Sequence, residues 1–168
     1  MLSPDEQNYL DHLLPEKAEE IIVIKPYDPG LENIANDVIQ EIHATIPDAN
    51  IRFMGASELG ISGQNDIDVY VLGSSGRLGG WILKLNELFG EQIKGKWQFN
   101  RDGFEISIYA ADPESPTQKK QIEVFEKLKG NKSILKDYEK LKESMNGKTY
   151  KDYQIAKYEF YHALLNKN

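Results

Sequence analysis

The chain contains no cysteine and no apolar run that approaches the length of a membrane-spanning helix. Without cysteine, a disulfide-stapled secreted fold, a thiolate metal site and a catalytic thiol are excluded. A membrane helix needs about 20 apolar residues, and the N-terminus lacks the basic start and apolar core of a signal peptide. With 168 residues, 40% of them hydrophobic, the chain is expected to form one cytoplasmic domain over residues 1–168. Residues 1–20 are expected to be an N-terminal helical extension.

Basic residues are scarce in the first two thirds of the chain. The net charge is −7, but residues 1–115 hold 8 basic and 20 acidic residues, whereas residues 116–168 hold 12 lysines and 7 acidic residues. This asymmetry is compatible with a metal site beside a site for an anionic ligand; the alternative is a set of solvated, lysine-rich helices. The acidity of the first part argues against a broad nucleic-acid interface.

The spacing of apolar residues predicts mixed helices and strands up to about residue 112, and helices only after that. Ser3-Pro4-Asp5-Glu6 is typical of a helix start. Helical spacing covers 31–46 and 78–89, strand-like runs cover 51–54 and 67–72, a hairpin is predicted over 96–110, and 21–24 is an edge strand or an extended lead-in. The expected fold is α+β: a small mixed sheet covered by helices, with a C-terminal all-helical tail.

The segment most suggestive of chemistry runs from Gly55 to Asp68. Side chains alternate along a strand, so Asp66 and Asp68 share one face, with Cα atoms about 6–7 Å apart. Two such carboxylates suit a hard divalent cation, Mg²⁺ or Mn²⁺. The preceding Gly55-Ala56-Ser57 turn can present backbone N–H groups to a phosphate. The alternative is that the two aspartates are merely the solvated end of a strand.

Several short motifs occur between about residues 22 and 165: Tyr27-Asp28-Pro29-Gly30-Leu31, Met54-Gly55-Ala56-Ser57, Leu59-Gly60-Ile61, the aspartate Asp68, Leu141-Lys142, and Tyr153 followed by Lys157 and Phe160. In kind and order these motifs resemble those of the GrpB family of the polymerase-beta-like nucleotidyltransferase superfamily. Departures occur where the family has a histidine, a serine and a Lys-Pro pair, at Phe53, Ala56 and Gln64-Asn65. The resemblance implies a nucleotidyltransferase-like fold without specifying a reaction.

The resemblance also suggests further site residues. Active members of the superfamily carry a third acid on a neighbouring strand, and Glu105 is the best candidate, ahead of Glu58; its alternative is an outward-facing position of the hairpin. Lys157 lies on the apolar stripe of the last helix, where it either extends to the surface or enters a pocket as a phosphate partner. Lys142 and Arg101 are additional candidate phosphate ligands.

Other notable residues have simpler interpretations. The three histidines have no metal-ligand spacing and are expected at the surface or at interfaces between elements. The two tryptophans and nine tyrosines are interpreted as packing residues. The glycine-rich stretch 76–80 lacks the Gly-Lys-Ser/Thr end of a P-loop and is interpreted as a strand-to-helix connection.

Together these residues favour Mg²⁺-dependent transfer of a nucleotidyl group from a nucleoside triphosphate to an unknown small-molecule or protein acceptor. Asp66, Asp68 and Glu105 would be the catalytic and metal-binding set. Gly55, Ala56, Ser57, Lys157, Lys142 and Arg101 would bind the phosphates. The alternatives are a non-catalytic module that binds a nucleotide or a nucleotide-containing cofactor, and a nucleic-acid binder that uses the lysine-rich helices. No membrane partner is expected, and the sequence does not indicate an oligomeric state.

Overall fold

A computed structural model describes residues 2–166 and confirms the α+β class. Its elements, in chain order, are α1 (Pro4–Asp11), α2 (Pro15–Ala18), α3 (Gly30–Thr45), β1 (Asn50–Met54), α4 (Ala56–Leu59), β2 (Asp66–Leu72), α5 (Ser75–Phe89), β3 (Lys96–Arg101), β4 (Phe104–Ala111), α6 (Pro116–Gly130), α7 (Lys132–Ser144) and α8 (Tyr150–Leu165). None of the described helices is both long and apolar enough to span a membrane.

The four strands form one mixed sheet in the order β1-β2-β4-β3. β1 and β2 are antiparallel, β3 and β4 form the predicted hairpin, and β2 and β4 are parallel. Helix α5 lies between the two parallel strands in sequence, because parallel neighbours need a crossover connection. The register places Asp66 beside Glu105, and Asp68 beside Ser107.

One face of the sheet packs against α3 and α5 and forms the first hydrophobic core. Alternation along β2 and β4 directs every second side chain to this face, where the apolar stripe of α3 packs on Ile67, Val69, Val71, Ile106 and Ile108. Trp81 of α5 packs so closely on Gly73 that a Cβ built at Gly73 would lie 2.3 Å from the indole ring. The packing therefore requires glycine at this position.

The glycine-rich stretch 76–80 differs from expectation. It was expected to connect a strand to a helix, but it lies within α5, which begins at Ser75. Built Cβ atoms at Gly76, Gly79 and Gly80 meet nothing within 4 Å. Since packing does not restrict these positions, propagation of the helix overrides their low helix propensity.

The C-terminal helices and α4 form a second core. Val124, Leu128, Tyr138 and Leu164 are buried there together with Ile61. Each of the three C-terminal helices begins after a residue type that commonly caps helices. The side chains of Ser115, Asn131 and Thr149 accept hydrogen bonds from backbone N–H groups in the first turns of α6, α7 and α8. This helical layer faces the polar side of the sheet.

The N-terminal segment crosses from the helical layer back to the sheet. The predicted helix start is confirmed, because Ser3 and Glu6 form a reciprocal capping box at the start of α1. The β-branched run 21–24 is an extended lead-in rather than a strand of the sheet, with isolated bridges from Ile21 to Thr149 and from Lys25 to Gly63.

Candidate functional site

A cavity of about 760 Å³ lies between the polar face of the sheet, α1, and helices α6 and α8. Such a volume falls in the range of small-molecule sites. The lining includes Gly55 and Ala56 from the β1–α4 turn, Asp68 from β2, and Lys157 from α8. Thus the cavity brings together residues that are about 100 positions apart in the sequence. Among the described lining residues, Asp66 and Glu105 do not occur.

The turn after β1 lies directly against Asp68. Gly55 has a φ of 91°, a conformation that favours glycine, and a Cβ built there would lie 3.1 Å from Asp68 Oδ2. The predicted pairing of this turn with the aspartate strand is therefore reproduced in three dimensions. A side chain at position 55 would press on the carboxylate.

The surroundings of Asp68 disfavour the ionised form of its carboxyl group. Burial raises the pKa of Asp68, and the neighbouring charge of Asp66 raises it further; Lys157, Lys96 and Lys142 act in the opposite direction. The net result raises the pKa of Asp68 to about 7. A cation close to this carboxylate would favour its ionised form, so the pair of aspartates is chemically suited to a divalent metal.

Glu105 stands beside Asp66 in the register but is exposed. Among residues 2–166, no three acidic or histidine side chains are gathered closely enough to hold a metal ion. Mg²⁺ in phosphoryl-transfer sites is usually bound through one or two carboxylates together with substrate phosphates. The aspartate pair meets that requirement without Glu105, whose role in metal binding stays a prediction.

Lys157 is half-buried and lines the cavity. Of the two directions left open by the sequence, its side chain therefore takes the one into the pocket and not the one to the outer surface. Its interaction with Tyr161 raises the pKa of Lys157 well above its ordinary value, although burial opposes this, and Tyr153 and Tyr158 act in the same direction as Tyr161. The ammonium lies 5.7 Å from the centre of the Tyr161 ring. Within the described part of the chain, no carboxylate lies within 4 Å of this ammonium. The cavity wall therefore carries a cation that can meet an anionic ligand.

Lys142 lies behind this wall rather than on it. It is only 6% exposed and donates a hydrogen bond from Nζ to the hydroxyl of Tyr153 at 2.5 Å. Its side chain packs near Gly63, where a built Cβ would lie 3.5 Å from Lys142 Cε and 2.9 Å from Ala56 Cβ. Lys142 thus lies close to the Gly55–Ala56 turn but does not line the cavity, and its predicted contact with phosphate stays a prediction.

Ser57 is used to hold the turn in place. Its hydroxyl is buried and donates a hydrogen bond to the backbone carbonyl of Asp66. The bond joins α4 to β2. The side-chain proton of Ser57 is therefore used within the fold, so the phosphate contacts predicted for this turn would have to come from its backbone N–H groups.

Arg101 is not brought to the cavity. The register aligns Arg101 with Phe104, whose side chain packs against the first core on the opposite face of the sheet. Its guanidinium donates to Glu41 of α3 at 2.9 Å and lies over the ring of Phe99. These contacts anchor the hairpin to α3.

Several lining residues were not identified from the sequence. Tyrosines interpreted as packing residues line the cavity, among them Tyr70 and Tyr109, whose rings stack at 4.8 Å. Strand alternation places both on the face of Asp68, and it also places Lys96 there, so this signal was present in the sequence. Gln118, 4% exposed, adds a buried amide nitrogen whose N–H groups find no hydrogen-bond acceptor among the described residues.

The fold is shared with a known protein, although no family model and no curated protein matches the chain. The structure resembles the conserved protein GrpB from Enterococcus faecalis with a TM-score of 0.59 at 14% identity, over 86% of this chain and 98% of that one. This likeness confirms the predicted GrpB-like fold. At such low identity it shows the fold alone.

Two nucleotidyltransferase structures show weaker likenesses. The Cid1 poly(U) polymerase with MgGTP bound matches 79% of this chain and 47% of its own with a TM-score of 0.37 and 16% identity. A cytoplasmic RNA terminal U-transferase matches 76% of this chain and 42% of its own, with a TM-score of 0.38 and 17% identity. These likenesses are too distant to support a functional inference.

Proposed function

We propose that the protein binds a nucleoside triphosphate in the cavity and transfers its nucleotidyl group to a hydroxyl-bearing acceptor, a small molecule or a protein. The observation that supports this is the meeting of Asp68 and Lys157 in one cavity, beside the Gly55–Ala56 turn. The arrangement provides an acidic side for a metal and a basic side for phosphate. A half-buried ammonium with no carboxylate of the described residues within 4 Å is costly, and an anionic ligand would offset that cost.

Each part of the site has a distinct task in this proposal. Lys157 would offset the charge of the triphosphate, and the backbone of Gly55 and Ala56 would contact its oxygens. Asp66 and Asp68 would hold Mg²⁺, which supplies charge neutralisation at the reacting phosphate. The acceptor oxygen would attack the α-phosphorus, the bond from that phosphorus to the bridging oxygen would break, and pyrophosphate would leave. The acceptor proton would pass to solvent.

A second candidate is binding of a nucleotide without transfer. The exposure of Glu105, away from the cavity lining, favours this alternative because the third carboxylate of active superfamily members would then lack its equivalent. Both candidates predict nucleotide binding in the same cavity. They differ only in whether a covalent product forms.

The structure gives less support to a nucleic-acid interface on the C-terminal helices. Within the described residues, five lysines of α6 and α7 form ion pairs with carboxylates: Lys119 with Glu114, Lys120 with Glu6, Lys127 with Glu123, Lys129 with Glu58, and Lys140 with Asp137. These acidic partners interrupt the positive surface. The broad basic patch typical of duplex binding is thereby reduced.

Thermal shifts with ATP, GTP, CTP and UTP, each with MgCl₂ or EDTA, test nucleotide binding. We expect triphosphate to raise the melting temperature of the wild type, more so with Mg²⁺. Lys157→Met should reduce the shift strongly, whereas Lys136→Met, an exposed lysine of α7, should not. Equal shifts in Lys157→Met and the wild type would refute the proposed site.

Transfer is tested separately with α-phosphate-labelled nucleotide and a metabolite or protein extract. Label should enter an acceptor in the presence of the wild type and Mg²⁺, and the Asp66→Asn/Asp68→Asn double variant should lose this activity. Retained nucleotide binding with no labelled product from any acceptor would support the binding-only candidate.

A further inference from the structure

Helix α1 forms one wall of the candidate nucleotide cavity. Ser3, Asp5, Glu6 and Tyr9 all belong to the lining. Yet α1 has eight residues and buries only one of them, Leu10, which is 2% exposed. A helix of this length is not stable by itself in water. Its position therefore depends on contacts with the rest of the protein.

The main polar contact is made by the carboxylate of Glu6. Oε1 accepts a hydrogen bond from Lys120 of α6, and Oε2 lies 2.6 Å from Nε2 of His162 on α8. The Glu6 side chain is 11% exposed. Burial alone would raise the pKa of Glu6, but the hydrogen bonds from His162, Lys120 and Ser3 outweigh it and lower the pKa to about 2. One carboxylate thus joins three helices.

The same contacts reach the ligand cavity. Lys120 binds Glu6 and also lines the cavity. Tyr150 lines the cavity too, and its hydroxyl lies 2.8 Å from that of Tyr9 on α1. A change in the position of α1 would alter the cavity wall directly. The residues that hold α1 in place are therefore also residues of the cavity wall.

The chain after α1 is fixed more firmly than α1 itself. Backbone hydrogen bonds join Ile22 N to Lys148 O at 2.9 Å and Tyr150 N to Glu20 O at 2.7 Å. Ile22 is also buried, at 1% exposure. The short link between α1 and α2, residues 12–14, is therefore the natural pivot for a movement of α1.

We propose that α1 is a lid over the nucleotide cavity and that Glu6, by binding Lys120 and His162, is the latch that closes it. This inference rests on the proposed function for the identity of the ligand. Opening would proceed by release of the Glu6 contacts and rotation of α1 about residues 12–14. Regions with few buried apolar contacts open at low free-energy cost, and α1 is such a region.

Hydrogen exchange of the unliganded protein tests the lid without reference to any ligand. Glu6→Gln keeps the size of the side chain but removes the charge that Lys120 and His162 bind. We expect the helical amides of residues 7–11 to exchange about tenfold faster than in the wild type, which corresponds to about 1.4 kcal/mol. Glu16→Gln, on exposed α2, makes the same charge change and should leave these rates unchanged. Unchanged exchange in Glu6→Gln would overturn the latch.

Dissociation of a fluorescent ATP analogue from the Mg²⁺-loaded protein tests gating. Its dissociation should be several-fold faster from Glu6→Gln than from the wild type or Glu16→Gln, and Lys120→Met combined with Glu6→Gln should add little to Glu6→Gln alone. Faster exchange without faster dissociation would mean that α1 is only a structural wall and would overturn the lid. Failure of the wild type to bind the analogue would refute the proposed function, while the exchange experiment would still decide the latch.

Discussion

The carboxylate of Asp68 lies in surroundings that disfavour its charge, and it also lines the candidate ligand cavity. Its neighbours Asp66 and Lys157 influence its pKa in opposite directions. A position like this is typical of functional sites, where environments that disfavour the charged form are retained for their chemistry. Its protonation should therefore be measurable in the stability of the protein.

Asp68→Asn should stabilise the protein at high pH. The pKa of Asp68 is about 7 when folded and near its model-compound value of 3.8 when unfolded. Between these values the folded state binds more protons, so the unfolding free energy of the wild type falls as pH rises through the window. Relative to the wild type, Asp68→Asn should gain about 1–3 kcal/mol between pH 4 and pH 8. Urea unfolding at both pH values measures the change.

Asp37→Asn, on the exposed side of α3, is the control for this comparison. Its difference from the wild type should be nearly independent of pH. A constant difference for Asp68→Asn across the same range would contradict the raised pKa.

Gly73→Ala should be clearly destabilising for a steric reason. The added Cβ would overlap the ring of Trp81, at 2.3 Å. Overpacking of this kind costs about 1–3 kcal/mol. Gly79→Ala, in α5 itself, meets nothing within 4 Å and should be neutral or stabilising by about 0.5–1 kcal/mol. Thermal unfolding of both variants checks the contrast, and equal melting temperatures would argue against the tight Gly73–Trp81 contact.

At the scale of elements, α7 and α8 are joined by a buried cation. Lys142 of α7 has its ammonium between the rings of Tyr138 and Tyr153, at 5.3 and 5.1 Å from their centres, and donates to the Tyr153 hydroxyl. A buried charge held mainly by hydrogen bonding is sensitive to loss of its partner. Replacing the charged side chain itself by an apolar one of similar length changes the stability of the protein less.

Tyr153→Phe should therefore cost about 1–3 kcal/mol of unfolding free energy, because the ammonium loses its acceptor. Lys142→Met should change stability by less than about 1 kcal/mol. In the double variant the cost of Tyr153→Phe should largely disappear. Urea unfolding of the wild type, the two single variants and the double variant gives the coupling free energy between the two residues. Strictly additive effects would contradict a stabilising Lys142–Tyr153 interaction.

Local signals were sufficient for most elements and for placing the two aspartates on one face of a strand. The cap at Ser3, the Asp102-Gly103 hairpin and the alternation that pairs Asp66 with Asp68 all depend on neighbours in the chain, and the sequence predicts them correctly. Long-range partners were not accessible in this way. Glu6 meets His162 across 156 residues, and no local pattern predicts that contact.

Arg101 and Lys157 illustrate the same limit within the proposed site. The sequence names both as candidate phosphate ligands, with Lys157 ahead of Arg101. The sheet register turns Arg101 towards α3 and its partner Glu41, whereas packing of α8 turns Lys157 into the cavity. Side-chain direction follows from tertiary packing here, not from residue type.

For the whole molecule, the distribution of charge distinguishes a small anionic ligand from a polyanion. The net charge is −7, and the proposed phosphate contacts are few and partly buried. Salt screens partly buried charges less than exposed ones. ATP affinity should therefore fall by less than about tenfold between 50 and 500 mM NaCl, as measured by calorimetry.

Binding to RNA through six or more phosphate contacts would instead lose about 10³-fold or more between 50 and 200 mM salt. A titration with a short RNA at low salt provides the comparison. Tight, steeply salt-dependent RNA binding would favour the nucleic-acid alternative over the proposed function.

The separation of the two hydrophobic cores determines which spectroscopic signals report on which part of the protein. Both tryptophans, Trp81 and Trp97, are buried in the core between the sheet and helices α3 and α5, whereas the second core contains neither of them and includes Tyr138 and Tyr161. Indole fluorescence should follow the unfolding of the sheet layer, and far-UV circular dichroism should be dominated by the helices. We propose that the chain is one cooperative domain, and on that basis the two transitions should coincide. A nucleotide that bridges β2 and α8 should then shift both curves together.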